Sequence, residues 1–205
     1  MPARVHAIIV ARPGSSARAQ LLRTLDALRS QTTPPAAITL VMCGDAASAR
    51  ESGAIAGAVE GIIQARGGTS FADAVELARP RILEGSAVWL LAHDTAPHER
   101  ALERLVGTLE RSPSAAIVAP KLVHTDNERE IVSLGVSMTT LGRAVELAAG
   151  ELDQGQHDGS DDALGADIRG MLIRGEVRDA LRPDPALAGA DLGLCLLYTS
   201  PSPRD

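Results

Sequence analysis

An apolar, strand-like run over residues 88–92 ends on His93 and Asp94, and the following Thr95-Ala96-Pro97 has the composition of a turn. A carboxylate at the carboxyl end of a buried strand lies where open α/β sheets bind their ligands. A hard divalent cation on a phosphate needs only one or two oxygens from the protein, so Asp94, together with His93, could help to hold such a metal. Asp94 could equally cap the helix predicted to begin after this turn, because aspartate is a favoured capping residue. Both interpretations stay open at this point.

Two other stretches carry groups that could contact a ligand. The Gly-Gly-Thr-Ser turn at 67–70 could present backbone N–H groups to a phosphate. It matches neither GxGxxG nor a Walker loop, which favours an ordinary turn. The acidic loop 150–159 contains Gln156, His157 and Asp158, whose amide, imidazole and carboxylate groups could bind sugar hydroxyls. Solvated loops commonly have the same composition. No Gly-x-Ser-x-Gly elbow or Cys–His pairing predicts a covalent nucleophile.

Alternating strand and helix patterns position these residues. The predicted strands cover 5–11, 37–42, 60–64, 88–92 and 116–119, and the predicted helices cover 21–28, 46–58, 71–83 and 97–109. Ser70 is expected to cap the third helix, and Arg79-Pro80 is expected to kink it. This order predicts a mostly parallel sheet with right-handed crossovers. We expect Ala11, Met42 and Asp94 to lie at the carboxyl edge of that sheet.

Composition and charge narrow the class of protein. With 205 residues, of which 45% are hydrophobic and 22% charged, the chain is predicted to form a single domain with a sizeable core. Aromatic residues make up only 1%, so Ala, Val, Leu and Ile must build that core. The net charge of −6 argues against nucleic acid as the main partner. Cys43 and Cys195 form neither a disulfide framework nor a zinc motif. The apolar stretch 7–11 is too short for a signal peptide and no membrane-spanning run is present, which predicts a cytoplasmic protein.

The order and spacing of several motifs resemble those of the family 2 glycosyltransferases, over about residues 5–194. After an opening strand–helix unit the motifs are Phe71-Ala72-Asp73-Ala74-Val75, Trp89-Leu90-Leu91-Ala92-His93-Asp94-Thr95-Ala96-Pro97, Ala119-Pro120-Lys121-Leu122, the loop 150–159, Gly170-Met171-Leu172-Ile173-Arg174 and Asp184-Pro185-Ala186-Leu187. The resemblance implies a GT-A fold, a Rossmann-like α/β architecture with a mostly parallel sheet flanked by helices. It also implies inverting transfer of a sugar from a nucleotide-sugar donor to a hydroxyl of a glycan or other acceptor, with Mn²⁺ or Mg²⁺ as cofactor.

The same resemblance assigns roles to individual residues. Asp94 falls on the last acid of the family's DxD-like metal motif. The exits of the first two strands, Ala11-Arg12 and Met42-Cys43, fall where the family contacts the base and ribose of the nucleotide. The loop 150–159 falls on the acceptor side of the site, and Asp191 lies near the family's catalytic base.

The chain departs from the family at two of these positions. Met42 and Cys43 stand where an acid usually follows the second strand, and Ala92 or His93 stands where the metal motif has its first acid. Both changes remove oxygen ligands, which favours an alternative in which a catalytically inactive relative keeps the fold as a binding or scaffold domain. A second alternative, an unrelated Rossmann-like nucleotide-binding protein, is disfavoured because the glycine fingerprint is missing.

The segment 195–205 differs in composition from the rest of the chain and resembles a translated sequencing-library adapter. We therefore expect the natural reading frame to depart near Leu194, so that residues 1–194 form the glycosyltransferase-like domain. Its nucleotide-sugar half is expected over about 1–122. Its acceptor-side half, with short strands at 131–138 and 171–174, is expected over 123–194 and to be incomplete. Any membrane association is expected to come from a region missing here.

Overall fold

A six-stranded sheet forms the centre of the fold in the computed structural model, which describes residues 4–12, 14, 16–44, 55–140, 143–158, 163 and 165–180. The strands in these ranges are β1 (Val5–Ala11), β2 (Ala37–Cys43), β3 (Gly61–Ala65), β4 (Ala87–Ala92), β5 (Ile117–Val118), β6 (Leu122–His124), β7 (Asn127–Ser133), β8 (Val136–Met138), β9 (Ala144–Glu146) and β10 (Leu172–Ile173). The main sheet has the order β3-β2-β1-β4-β10-β5. Strands β1 to β4 are parallel, whereas β10 is antiparallel to both of its neighbours. The predicted mostly parallel sheet is confirmed.

Helices cover both faces of this sheet. They are α1 (Ala17–Arg29), α2 (Phe71–Ala78), α3 (Ala101–Arg111) and α4 (Gly175–Ala180). Every residue of β1 and β2 is buried, as expected for parallel strands covered on both sides. Successive side chains point to opposite faces, so Ile9 and Leu40 pack with α1 and α3, while Ile8 and Val41 pack with α2. This core is largely aliphatic, as the composition predicts.

The bounds of α2 show how local chemistry sets a helix. The Oγ of Ser70 accepts a hydrogen bond from the N–H of Asp73 at 3.1 Å, so the predicted cap is confirmed. The predicted helix to residue 83 is too long, because α2 ends at Ala78 and a 3₁₀ turn over Arg79–Arg81 follows. Pro80 cannot donate the next helical hydrogen bond. Of the predicted helix 46–58, residues 46–54 lie outside the described residues and Ala56–Ala58 forms a 3₁₀ turn.

The helix predicted from residue 97 begins instead at Ala101. The side chain of Gln31, at the end of α1, donates to the carbonyl of His98 at 2.8 Å and accepts from the N–H of Leu102 at 3.0 Å. Gln31 thereby satisfies an N–H group that the first turn of a helix leaves unpaired. Asp94 lies well before α3, so the interpretation of Asp94 as its cap is wrong.

The chain leaves the main sheet after β5 and forms two antiparallel pairs, β6 with β7 and β8 with β9. The single strand predicted over 131–138 is divided at Gly135, which has φ +128°. A Cβ there would lie 2.8 Å from the Cβ of Ala163, so this bend requires glycine. The chain then returns to the main sheet at β10. In the described ranges, no helix has the length and apolar character needed to cross a membrane.

Candidate functional site

The carboxyl ends of β1, β2 and β4 lie side by side at one edge of the main sheet, which we call the carboxyl edge. The register pairs Ala11 of β1 with Met42 of β2, and β4 flanks β1 on its other side. The N–H of His93 donates to the carbonyl of Val10 at 3.0 Å, which extends this pairing past the end of β4. The prediction that Ala11, Met42 and the turn bearing Asp94 share one edge is therefore confirmed.

A turn from Ala92 to Thr95 presents Asp94 at the carboxyl edge. The N–H of Thr95 donates to the carbonyl of Ala92 at 3.1 Å, which closes the turn. The hydroxyl of Thr24 in α1 donates to the carbonyl of His93 at 2.7 Å and holds the turn against that helix. Asp94 is exposed and belongs to none of the ion pairs among the described residues. The Oγ1 of Thr95 is buried and has no hydrogen-bond partner among the described residues.

A polar cavity of about 130 Å³ opens beside this turn, between α1 and the tip of the β6–β7 hairpin. It is lined by Gln20, Arg23, Thr24, Asp94, Ala96, Thr125 and Asp126. Sites for whole small-molecule ligands usually measure about 300–1,000 Å³, so this cavity has room for only part of such a ligand. Arg23 and Asp126 were not predicted as site residues. Nothing in the sequence marks them, because α1 and the hairpin meet only in the folded chain.

Arg12 is the one predicted nucleotide-contacting residue whose side chain is exposed. Ala11, Met42 and Cys43 are buried, so they could reach a ligand only through backbone groups. Burial raises the pKa of the Cys43 thiol, and the positive charge of Arg12 opposes that rise. Arg12 directly follows Ala11, which pairs with Met42, so Arg12 lies next to the end of β2. Because its pKa is raised, the Cys43 thiol stays protonated at neutral pH and is not an activated nucleophile.

Arg169, just before β10, lies within electrostatic reach of Asp94. Its Nε donates to both carboxylate oxygens of Asp167, at 3.0 and 3.1 Å, and its Nη2 donates to Oδ2 of the same residue. Hydrogen bonding to Asp167 raises the pKa of Arg169, and the charges of Asp94 and Glu146 raise it further. The guanidinium of Arg169, held in place by Asp167, therefore lies near the exposed carboxylate of Asp94. No pattern in the sequence predicts this residue at the site.

The side chains predicted to bind an acceptor are already engaged within residues 151–158. The Nε2 of His157 lies 2.9 Å from Oε2 of Glu151, and this hydrogen bond lowers the pKa of Glu151. The Nε2 of Gln156 donates to the carbonyl of Leu152 at 2.8 Å, and its Oε1 accepts from the N–H of Gln154 at 2.7 Å. A ligand that uses these groups must share or displace their present partners.

Lys121, the only lysine of the sequence, ties the same loop to the connection between β5 and β6. Its Nζ lies 2.6 Å from Oδ2 of Asp153 and 2.9 Å from Oδ1 of Asp158. Hydrogen bonds to Asp153 and Asp158 raise the pKa of Lys121, and the bond from Lys121 lowers the pKa of Asp153. We call residues 151–158 together with Lys121 the clamped loop. Its central ion pairs join distant parts of the chain, so no local pattern predicts them.

His93 and Asp94 do not form a complete metal site by themselves. Within the part of the chain that the structure describes, no three His, Cys, Asp or Glu side chains gather as a metal-binding group. Mg²⁺ on a phosphate typically takes one or two protein carboxylates, with phosphate oxygens and water as its other ligands. The exposed carboxylate of Asp94 fits that mode, in which the cation and a phosphate ligand bind together. Asp191, the predicted catalytic base, lies outside the described residues, as does the segment 195–205.

A mostly parallel sheet with an acid in the turn after β4 is the arrangement that the motif resemblance implies. The chain belongs to the family described as glycosyltransferase like family 2, whose model matches residues 2–199. The predicted family is thereby confirmed, and the alternative of an unrelated Rossmann-like protein is wrong. No curated protein matched the chain by sequence.

Solved structures define the fold class. TarS from S. aureus superposes with a TM-score of 0.56 at 11% identity, over 96% of this chain and 32% of TarS. The mannosyltransferase PcManGT from Pyrobaculum calidifontis, in complex with GDP-Man and Mn²⁺, gives a TM-score of 0.57 at 14% identity, over 94% of this chain and 50% of PcManGT. The fold is therefore of the GT-A type. The chain spans about a third of TarS and half of PcManGT.

Proposed function

We propose that this protein is an inverting glycosyltransferase that binds a nucleotide-sugar at the carboxyl edge and transfers the sugar to a hydroxyl of a glycan or other acceptor. The observation that carries the proposal is the convergence of β1, β2 and β4, with exposed Arg12 and Asp94, at one edge of the sheet. Open α/β sheets bind ligands at such edges. Membership of the family and the GDP-Man complex of PcManGT support a nucleotide-sugar as donor.

The donor would be held by two charged side chains at the carboxyl edge, Arg12 after β1 and Asp94 after β4. Arg12, near the end of β2, would contact the base or ribose, with Ala11, Met42 and Cys43 offering backbone groups only. Asp94 would hold Mn²⁺ or Mg²⁺ together with the donor diphosphate, and His93 in the same turn is the second candidate ligand. A divalent cation held there would neutralise charge on the departing diphosphate.

The acceptor would approach from the side of the clamped loop, where Gln156, His157 and Asp158 offer groups that bind hydroxyls. Its hydroxyl oxygen forms a bond to the anomeric carbon while the bond from that carbon to the diphosphate breaks. Attack opposite the leaving group inverts the configuration. The proton of the hydroxyl passes to a carboxylate acting as general base, a role that we propose for Asp191.

A second candidate function is a binding or scaffold domain without catalysis. It is favoured by the residues at the ends of β2 and β4, since Met42 and Cys43 are buried and apolar where the family usually has an acid. Ala92 or His93 likewise replaces the first acid of the metal motif. This alternative predicts a nucleotide that binds weakly or not at all and is never turned over.

Thermal unfolding of the full chain with UDP or GDP, each with and without Mn²⁺, tests the proposal. A nucleotide at 100 times its Kd adds about 2.7 kcal/mol to the free energy of unfolding, which corresponds to a Tm rise of roughly 5–10 °C. We expect that rise with one nucleotide plus Mn²⁺, and none with Mn²⁺ alone, because Asp94 needs the diphosphate to complete the metal's ligands.

Asp94→Asn should remove the contribution of Mn²⁺. Glu110→Gln, which changes an exposed carboxylate on α3, is the matched control and should leave it intact. A wild-type protein whose Tm responds to neither nucleotide would overturn donor binding. A protein that binds nucleotide but releases none from UDP- or GDP-sugars would support the scaffold alternative.

A further inference from the structure

The pairing of β10 with β4 places Arg169 at the carboxyl edge. The N–H of Gly170 donates to the carbonyl of Leu90 at 2.8 Å, and the N–H of Leu90 donates to the carbonyl of Met171 at 2.8 Å. Because β10 runs antiparallel to β4, residues that precede Gly170 continue toward the carboxyl end of β4. Arg169 therefore stands beside the turn that carries Asp94.

The backbone at this point is held on both sides of Gly170. Gly170 has φ +95°, a conformation that residues with side chains rarely adopt, and a Cβ there would lie 2.8 Å from Cγ of Pro120. The indole Nε1 of the fully buried Trp89 donates to the carbonyl of Gly170 at 2.9 Å. The starting point of the Arg169 side chain is consequently fixed by packing and by a buried hydrogen bond.

Asp167 then orients the guanidinium itself. The backbone N–H of Arg169 donates to Oδ1 of Asp167 at 2.8 Å, and Nε and Nη2 of the side chain donate to the same carboxylate. The side chain of Arg169 is 36% exposed, against 14% for Asp167, so the pair presents its cation outward. Nη1 makes no hydrogen bond to a described residue. A guanidinium held along one side offers its remaining N–H groups as a preorganised donor to phosphate.

The charges around Arg169 match those of a metal–phosphate pair. Asp94, in the turn after β4, offers an anion for the cation, and Arg169, on the neighbouring strand connection, offers a cation for the phosphate. The acid missing at Ala92 or His93 removes one oxygen ligand of the metal. A phosphate at this edge would consequently depend more on a positive charge that the protein itself supplies.

We propose that Arg169 binds a phosphate oxygen of the nucleotide donor beside Asp94, so that part of the nucleotide affinity does not require a divalent cation. This inference rests on the proposed function and names a residue of its donor site. We thereby distinguish two contributions to phosphate binding: the metal at Asp94, which the family resemblance implies, and the guanidinium of Arg169, which it does not.

Calorimetric titration of the full chain tests the inference, with GDP, UDP, guanosine and uridine as probes, in Mn²⁺ and in EDTA. Arg169→Gln should weaken binding of the preferred diphosphate about tenfold or more in both conditions, because a hydrogen bond between charged groups is lost. Its affinity for the nucleoside should not change. Asp94→Asn should lose the gain from Mn²⁺ but bind the diphosphate in EDTA at least as tightly as wild type, since a like charge is removed.

Arg100→Gln is the matched control. Arg100 also pairs with a carboxylate, Glu103, at 2.9 Å, but it lies at the start of α3. The Arg100→Gln variant should bind all four probes with unchanged affinity, in Mn²⁺ and in EDTA. Arg169→Lys keeps the charge without the planar fork and should show a smaller loss for the diphosphate and none for the nucleoside. This variant decides the question if Arg169→Gln fails to fold.

Two results would overturn the inference in different ways. The role of Arg169 would be refuted if Arg169→Gln bound the diphosphate at the wild-type affinity in both conditions, or if Arg169→Lys did so where only that variant folds. The proposed function would then still stand. A wild-type chain that binds neither diphosphate in either condition would refute both.

Discussion

The carboxyl edge and the clamped loop contain the same kinds of polar side chain, but among the described residues the edge leaves Arg12 and Asp94 outside any ion pair, whereas the loop pairs its charges. At the edge, Arg12 and Asp94 are exposed and belong to no ion pair among the described residues, and the buried hydroxyl of Thr95 has no partner there. In the clamped loop, the ammonium of Lys121 contacts two carboxylates and the imidazole of His157 contacts a third. Open charges can bind a ligand without first releasing a partner, whereas the loop must release one.

The two regions also differ in what fixes them. The edge is built on buried parallel strands, and the turn bearing Asp94 is held by main-chain pairing and by Thr24. Main-chain hydrogen bonds join Glu151 and Asp153 to β7, whereas residues 154–158 of the clamped loop are held mainly by side-chain hydrogen bonds and ion pairs at the surface. Salt and pH should therefore act on the loop and leave the edge largely unchanged.

The largest expected effect separates chemistry from donor binding. Asp191→Asn should lower sugar transfer about 10²- to 10⁴-fold, the usual contribution of a general base. Nucleotide affinity at the carboxyl edge should stay at the wild-type value. Transfer assayed by nucleoside diphosphate release, together with calorimetry on the same variant, checks both expectations. Unchanged transfer would assign the base to another residue.

A smaller effect is expected where the two regions meet. Gly170→Ala places a Cβ 2.8 Å from Cγ of Pro120, at a φ of +95°. We expect this strain to cost about 1–3 kcal/mol of unfolding free energy, measured by denaturant titration. Gly67→Ala is the control, because a Cβ there meets nothing within 4 Å and should change stability by less than about 0.5 kcal/mol. Equal effects of the two substitutions would contradict the close approach at Gly170.

Removing the clamp should have a local effect. Lys121→Ala takes the cation from between Asp153 and Asp158, so amide hydrogen exchange should quicken in peptides covering 151–158 and stay constant in β1 and β4. Lys121→Arg should retain most of the protection. Global stability should change by about 1 kcal/mol or less, as for other ion pairs at the surface. Faster exchange throughout the main sheet would show that the clamp supports the whole fold.

The smallest expected effect is the pH dependence of hydrogen-exchange protection in the clamped loop. The pKa values of Glu151 and Asp153 are lowered by hydrogen bonds from His157 and Lys121. A carboxylate with a lowered pKa stabilises the fold above its unfolded value and loses that contribution as pH falls through the folded value. The unfolded values are 4.5 for Glu151 and 3.8 for Asp153, so protection of the loop should be complete above about pH 5 and decline below it.

The raised pKa of Lys121 sets the opposite limit, since its contribution is present below 10.5 and lost above that value. Hydrogen exchange of residues 151–158, with correction for intrinsic rates, measures both limits. Protection that stays constant between pH 3 and 7 would contradict the proposed role of the ion pairs.

Local patterns predicted the carboxyl edge well. The runs that form β1, β2 and β4, the cap at Ser70 and the turn after Ala92 all rest on neighbouring residues. Burial on both faces makes such strands continuously apolar, which a sequence shows directly. The start of α3 was misplaced because Gln31, which is distant in sequence, satisfies the first turn of that helix.

The contacts among residues that are distant in sequence could not be predicted in the same way. Asp126 reaches the cavity from a hairpin, Arg169 reaches the edge through antiparallel β10, and Lys121 finds its carboxylates in a later loop. Each depends on how elements meet in three dimensions. The division of the predicted strand 131–138 at Gly135 likewise depends on the packing of Ala163.

The most direct test of donor binding at the carboxyl edge is anomalous X-ray scattering from Mn²⁺ in crystals of the full chain grown with UDP or GDP. We expect one Mn²⁺ peak at coordination distance from the carboxylate of Asp94, with the diphosphate between the Mn²⁺ and the guanidinium of Arg169. No peak should appear at Asp94 with Mn²⁺ alone. A nucleotide bound away from β1, β2 and β4, or a Mn²⁺ site that does not include Asp94, would refute donor binding at the carboxyl edge.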